Sequence, residues 1–106
     1  LLVWDERLSS SSVKVKVRLL GVFRGLSGKS RATLKLEKPT VGSAVQSLAK
    51  LLPAESRRLL IDPELNDPRP NALILLNGRE VSALNGLETS VSDGDEITLI
   101  PVSHGG

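Results

Sequence analysis

The sequence predicts an α+β domain in which a mixed sheet of about four to five strands curls around one main helix, and three observations lead there. Val13, Val15, Val17 and Leu19 alternate strictly with Lys14, Lys16 and Arg18, the period-2 pattern of a half-buried strand. Val41, Ala44, Val45, Leu48 and Leu51 or Leu52 then recur at helical spacing, giving a stripe that must face an apolar surface. Strand signals return in Ala72–Leu76 and in Ile97 and Leu99, so the order is strand, strand, helix, strand, short strand, strand.

Taken in order, the first strand is followed by Gly25, Ser27, Gly28 and Ser30, which supply turn chemistry. Ala32, Leu34 and Leu36 alternate with Thr33 and Lys35, so the two segments read as an antiparallel hairpin with a long loop. Thr40 is placed to cap the helix. Pro53 interrupts it because proline has no backbone donor, leaving a short second helix over Ala54–Leu60 before an irregular connection through Pro63, Pro68 and Pro70. The unbroken apolar run Ala72–Leu76 predicts burial on both faces. Asn77-Gly78 suits the positive φ of a tight hairpin, with Arg79, Glu80 and Val81 returning. After Leu84, Leu87 and Val91, broken by Asn85-Gly86 and Asp93-Gly94, a last strand runs from Glu96 to near Pro101.

Composition narrows the function. At 106 residues, 40% hydrophobic and 25% charged, the chain is sized for one soluble domain with a modest core. No apolar run reaches the roughly 18–20 residues of a membrane helix, and Leu1–Trp4 is too short for a secretory signal, so a cytoplasmic protein is expected. With no cysteine and one histidine, disulfides, thiolate chemistry and a metal cluster drop out. The net charge of +2 arises from 14 basic residues interleaved with 12 acidic ones, and with one Trp and one Phe there is little for base stacking. Nucleic acid is therefore not expected as a partner. The expected organisation is a flexible N-terminal extension over 1–12, ending in Ser9–Ser12, a domain over 13–102, and a flexible tail over 103–106.

Few residues offer chemistry. Gly25-Leu26-Ser27-Gly28-Lys29-Ser30 imitates the end of a phosphate-binding loop, but the glycine required five places before Gly28 is Phe23, and the flanks are strands rather than strand and helix. His104 is the one histidine, with no nucleophile to serve. The ending draws more attention: a strongly patterned strand gives way within a few residues to Gly105-Gly106. Residues without Cβ thread a narrow channel and leave the terminal carbonyl open to attack. A carboxylate is a poor electrophile, so it must first become an acyl-adenylate at the expense of ATP, and this chain has no group for that step. Leu20 follows Leu19 and Ile100 follows Leu99, so if the first of each pair points inward the second points out. With Phe23 nearby, Leu20 and Ile100 form a candidate docking patch, provided their strands are neighbours.

Val13-Lys14-Val15-Lys16-Val17-Arg18-Leu19, the Leu75-Leu76-Asn77-Gly78-Arg79-Glu80-Val81 hairpin, Asp93-Gly94-Asp95-Glu96-Ile97 and the Gly-Gly end together resemble the ubiquitin-like sulfur-carrier and protein-modifier group. That group includes the small subunit of molybdopterin synthase, the thiamine sulfur carrier, archaeal small modifier proteins and the ubiquitin-related modifier. The resemblance spans 13–106 and implies the β-grasp fold. It further implies adenylation of Gly106 by a ubiquitin-activating-type enzyme, with Val102, Ser103, His104 and Gly105 threaded into that enzyme. A thiocarboxylate or an isopeptide bond to a target lysine then follows. ATP is used by the partner, and no cofactor is intrinsic. His104-Gly105-Gly106 is similar to the ubiquitin-related modifier, while the body looks closer to the synthase subunit. Leu20 and Ile100 fall where such carriers contact their enzymes, and Glu80 stands where an apolar contact is expected. The implied partners are the activating enzyme, conjugating enzymes, target lysines or a molybdopterin-synthase large subunit, with molybdopterin synthesis and tRNA thiolation as implied settings. The alternatives are a dedicated synthase subunit and a non-conjugated interaction domain of the same fold.

Overall fold

The alternating segment forms the strand it predicts. In the computed structural model, which describes residues 12–26, 28 and 30–102, β1 (Val13–Leu19) buries Val15, Val17 and Leu19 and exposes Lys14, Lys16 and Arg18. It pairs antiparallel with β2 (Arg31–Leu36), from Val13 opposite Leu36 to Arg18 opposite Arg31. The connection between them is not a plain loop. Gly21–Gly25 winds into a 3-10 turn and carries Phe23 into the core at 1% exposure. One aromatic residue in a five-residue segment sets no periodicity, which is why the sequence reading missed this turn.

Thr40 caps α1 (Val41–Lys50): its Oγ1 accepts the Ser43 N–H at 3.1 Å, satisfying one of the free donors of the first turn. The helix buries Val41, Ala44, Val45, Leu48 and Ala49. Just past its end Leu52 continues the buried stripe, whereas Leu51 is exposed. Pro53 opens α2 (Ala54–Leu60) as its N-cap. Arg57 then reaches back, donating from Nε to the Ala49 carbonyl at 3.0 Å and from Nη2 to the Leu52 carbonyl at 3.1 Å, which ties α2 to the C-terminal end of α1 and the turn after it.

β3 (Ala72–Leu76) turns through Asn77 (φ 49°) and Gly78 (φ 85°) into a short β4 (Arg79–Glu80), the backbone that Asn-Gly favours. Val81 was expected in the return strand. It instead starts a 3-10 turn and is buried. The turn that precedes β5 (Glu96–Pro101) is tied down by side chains. Asn77 Oδ1 accepts the Glu96 N–H at 2.9 Å, Asp95 Oδ2 accepts the Ser92 N–H at 2.8 Å, and Asp93 Oδ1 accepts the Lys14 N–H at 2.8 Å. The Asp-Gly-Asp-Glu segment is therefore the clasp that sets β5 beside β1.

The sheet order is β2-β1-β5-β3-β4. β1 and β5 run parallel at its centre and the remaining pairs are antiparallel; the parallel pair needs a long crossover, and α1 lies within it. The helix packs on the face formed by Val15, Val17, Leu19, Leu34, Leu36, Ile74, Ile97 and Leu99. The other face has no covering layer among the described residues. Burial of Ala72–Leu76 on both faces is accordingly corrected: Ala72, Ile74 and Leu76 are buried, and Leu73 and Leu75 are half-buried on the open face.

Candidate functional site

Because Leu19 is the register partner of Leu99, the residues that follow them lie side by side. Leu20 continues the strand, and its N–H donates to the Leu99 carbonyl at 3.1 Å. The neighbour condition for the patch is therefore met: Leu20 and Ile100 are adjacent, half-buried and on the open face. Leu73 pairs with Ile100 across β3–β5, extending them into an apolar row of three. Leu73 was missed in the sequence, although its odd place in the Ala72–Leu76 run was a signal that it points away from the helix. Phe23 does not belong to the patch. Its ring is part of the core, so a partner gains no area from it. Glu80, opposite Leu75 and exposed, puts a charge at the edge of the apolar region.

The chain leaves the sheet at Pro101. Val102 makes one further backbone bond, its N–H donating to the Asn71 carbonyl at 3.0 Å, and its side chain is 41% exposed. On one side Val102 borders a hollow of ≈ 250 Å³ shared with Val22, Leu59 and Pro101, with Arg58 and Asn71 at its rim and Phe23 as its floor. On the other it borders a hollow of ≈ 190 Å³ with Leu73, Ile74 and Val81, flanked by Arg69 and Glu80. Val22 and Leu59 are 70% and 56% exposed, so three of the larger exposed apolar side chains meet where the tail begins. Neither Val22 nor Leu59 was singled out in the sequence, since scattered surface apolars are common and only their convergence marks them.

Titratable chemistry near this site is structural. Asp67 accepts from Arg69 Nε and Nη2 and from the Arg69 backbone N–H. The Arg69 side-chain hydrogen bond holds the Asp67 carboxyl below its usual range, and the same bond raises the Arg69 guanidinium. Among the described residues there is no grouping of three or more side chains able to hold a metal, and no helix is long and apolar enough to cross a membrane. Gly25 and Gly28 lie between two strands of a hairpin, the wrong context for a phosphate-binding loop; Ser27 and Lys29 lie outside the described residues. So do Ser103, His104, Gly105 and Gly106, and residues 1–11 of the N-terminal extension.

A sheet wrapped around one helix, with its last strand paired between the first and third and leading to Val102, defines a ubiquitin-like β-grasp protein. The chain belongs to the ThiS family, which matches residues 17–106. It is similar to small archaeal modifier protein 3 of Haloferax volcanii, with 30% identity over 95 residues covering 89% of this chain and 100% of that one. It is also similar to ubiquitin-related modifier 1 of Schizosaccharomyces pombe, with 29% identity over 97 residues covering 87% of this chain and 98% of that protein. Among solved structures, the solution structure of small archaeal modifier protein 1 from Methanosarcina acetivorans superposes with a TM-score of 0.75 at 28% identity, covering 90% of this chain and 98% of the other. Fold and relatives together place the chain among ubiquitin-like modifiers and sulfur carriers.

Proposed function

We propose that the protein works through the carboxylate of Gly106, which a ubiquitin-activating-type enzyme adenylates. A carboxylate oxygen attacks the α-phosphorus of ATP and expels pyrophosphate. Hydrosulfide or a lysine amine then attacks the activated carbonyl, loses a proton and expels AMP, leaving a thiocarboxylate or an isopeptide bond. The chain's own contribution is presentation. β5 is clamped between β1 and β3, so the point where the tail begins is fixed while Gly105-Gly106 supplies a side-chain-free end.

The observation that carries this reading is the position of Val102, exposed between two apolar hollows and next to the Leu20–Ile100–Leu73 row. A protein that receives the tail has apolar surface to cover on every side of its root. The modifier names of the relatives above favour a carrier or modifier over a subunit dedicated to one synthase. In the test, the full chain is incubated with ATP and the adenylating enzyme of the same organism, and the C-terminus is followed by mass spectrometry. An acyl-adenylate or a sulfur-for-oxygen mass change is expected, and both disappear when Gly106 is deleted. Charging that survives the deletion overturns the proposal.

A further inference from the structure

The basic residues interleaved along the sequence are gathered in space. Strand alternation puts Lys14, Lys16 and Arg18 of β1 and Arg31 and Lys35 of β2 on the open face, all exposed. The register sets Lys14 opposite Lys35 and Arg18 opposite Arg31. Like charges directly opposite one another on an antiparallel pair are destabilising, and two such pairs stand on one hairpin. Among the described residues none of these cations is in an ion pair, the pair found there being Arg69–Asp67. The Asp93 carboxylate that holds the Lys14 N–H places one negative charge at the Lys14 end of the ladder and leaves Arg18, Arg31 and Lys35 without one. The nearest acidic register partner is Glu96, beside Lys16. A net charge of only +2 for the whole chain thus conceals a face that is strongly cationic on one half and apolar on the other.

We propose that the outer face of β1 and β2 is a docking surface for a carboxylate-rich segment of the protein that receives the tail. This rests on the proposed function only in identifying that protein. Arg18 is two residues from Leu20, about 7 Å along the strand, so the cationic ladder is continuous with the apolar row beside the tail. The five strands span only about 19 Å across the sheet at the usual strand spacing. A partner covering about 800 Å² and centred on Leu20, Ile100 and Leu73 therefore extends over the ladder. Its rim there must supply negative charge, because like or neutral groups leave the cations desolvated and unpaired. A protein fits better than a nucleic acid. The ladder carries no aromatic side chain for stacking, and an apolar row borders it where a phosphate backbone has nothing to contact.

The variant Lys35→Glu/Arg18→Glu tests this with little threat to the fold, because each change turns a like pair into an opposite one and Lys14, whose N–H is held by Asp93, is left in place; its melting temperature is expected to equal or exceed that of the wild type. Two measurements are made on the full chain. In the first, a poly-glutamate peptide is titrated into isotopically labelled protein; saturable shifts of the β1 and β2 amides are expected in the wild type and at least tenfold weaker binding in the variant. In the second, charging by the adenylating enzyme is followed at low and high salt. The KM for the wild type is expected to rise with salt, and the variant is expected to show a KM at least tenfold higher at low salt, little salt dependence and an unchanged kcat. Equal KM values for the two chains at all salt concentrations overturn the proposal. So does an RNA oligonucleotide that binds the wild type, loses the variant and leaves the enzyme KM unmoved, which assigns the ladder to phosphate. If neither chain is charged, the functional reading fails on its own. The docking proposal is then decided by the titration, and absence of β1 and β2 shifts overturns it.

Discussion

Gly21 and Pro101 pack so closely that a Cβ built on Gly21 stands 2.7 Å from Pro101 Cγ, and Gly21 has φ +56°. The turn leaving β1 is thereby seated on the last residue of β5, one residue before Val102. Gly21→Ala combines a disfavoured backbone with a clash against a rigid ring, and each such strain costs about 1–3 kcal/mol. The expected result is a lower urea midpoint with an unchanged m-value.

Phe23 separates the core from the docking surface. Phe23→Ala is expected to destabilise the domain by about 3–5 kcal/mol, the usual cost of emptying an aromatic site. Phe23→Leu keeps most of the volume and is expected to cost less than about 1.5 kcal/mol. If the ring serves the core alone, the Leu variant is charged by the adenylating enzyme with the wild-type KM; a large rise in KM at intact fold returns Phe23 to the interface.

The row Leu20–Ile100–Leu73 makes the opposite prediction. Ile100→Ser or Leu73→Ser removes apolar area from the open face, and the KM for charging is expected to rise about tenfold, equivalent to about 1.4 kcal/mol of binding. Circular dichroism melts are expected to shift by only a few degrees. A KM that stays at the wild-type value places docking elsewhere.

Thr40→Ala tests the cap. Loss of the Oγ1 acceptor frees the Ser43 N–H, and a destabilisation of about 1 kcal/mol is expected by chemical denaturation. Charging kinetics are expected to be unaffected, because α1 lies on the far side of the sheet from the open face.

Asp67 introduces a pH dependence. Its folded-state pKa is lowered by Arg69, so the pair's contribution is fully present above the unfolded carboxylate value of about 3.9 and is lost as the pH falls through the lower folded value. The pair is partly exposed, with side-chain exposures of 56% for Arg69 and 18% for Asp67, and a contribution below about 1 kcal/mol is expected. Asp67→Asn should therefore be slightly less stable than the wild type at neutral pH, with the two unfolding curves converging as the pH drops below 4. Curves that stay parallel to acid pH exclude this linkage.

Much of the architecture was legible because its signals are local. Val13–Leu19 states its own period, Asn77-Gly78 names its turn, and Thr40 and Pro53 mark helix boundaries through hydrogen-bonding capacity alone. What escaped depends on residues distant in the chain. The 3-10 turn buries Phe23 in the core beside β5, and nothing near Phe23 in sequence announces it. Leu20 and Ile100 were legible as outward apolar residues, but adding Leu73 to them requires β3 to be adjacent to β5, an order that short segments cannot specify. The cationic ladder was half legible: alternation sets Lys14, Lys16 and Arg18 on one face of their strand, and only the register of β1 with β2 brings Lys35 and Arg31 opposite them.

The parallel pairing of β1 with β5 has one further consequence. The earliest and latest strands of the domain are immediate neighbours at the centre of its sheet, so a ribosome must release nearly all of the domain before that central seam can close. Loosening of that seam would free one whole edge of the strand that leads to Val102, so the root of the tail is held in place by the contact that forms last.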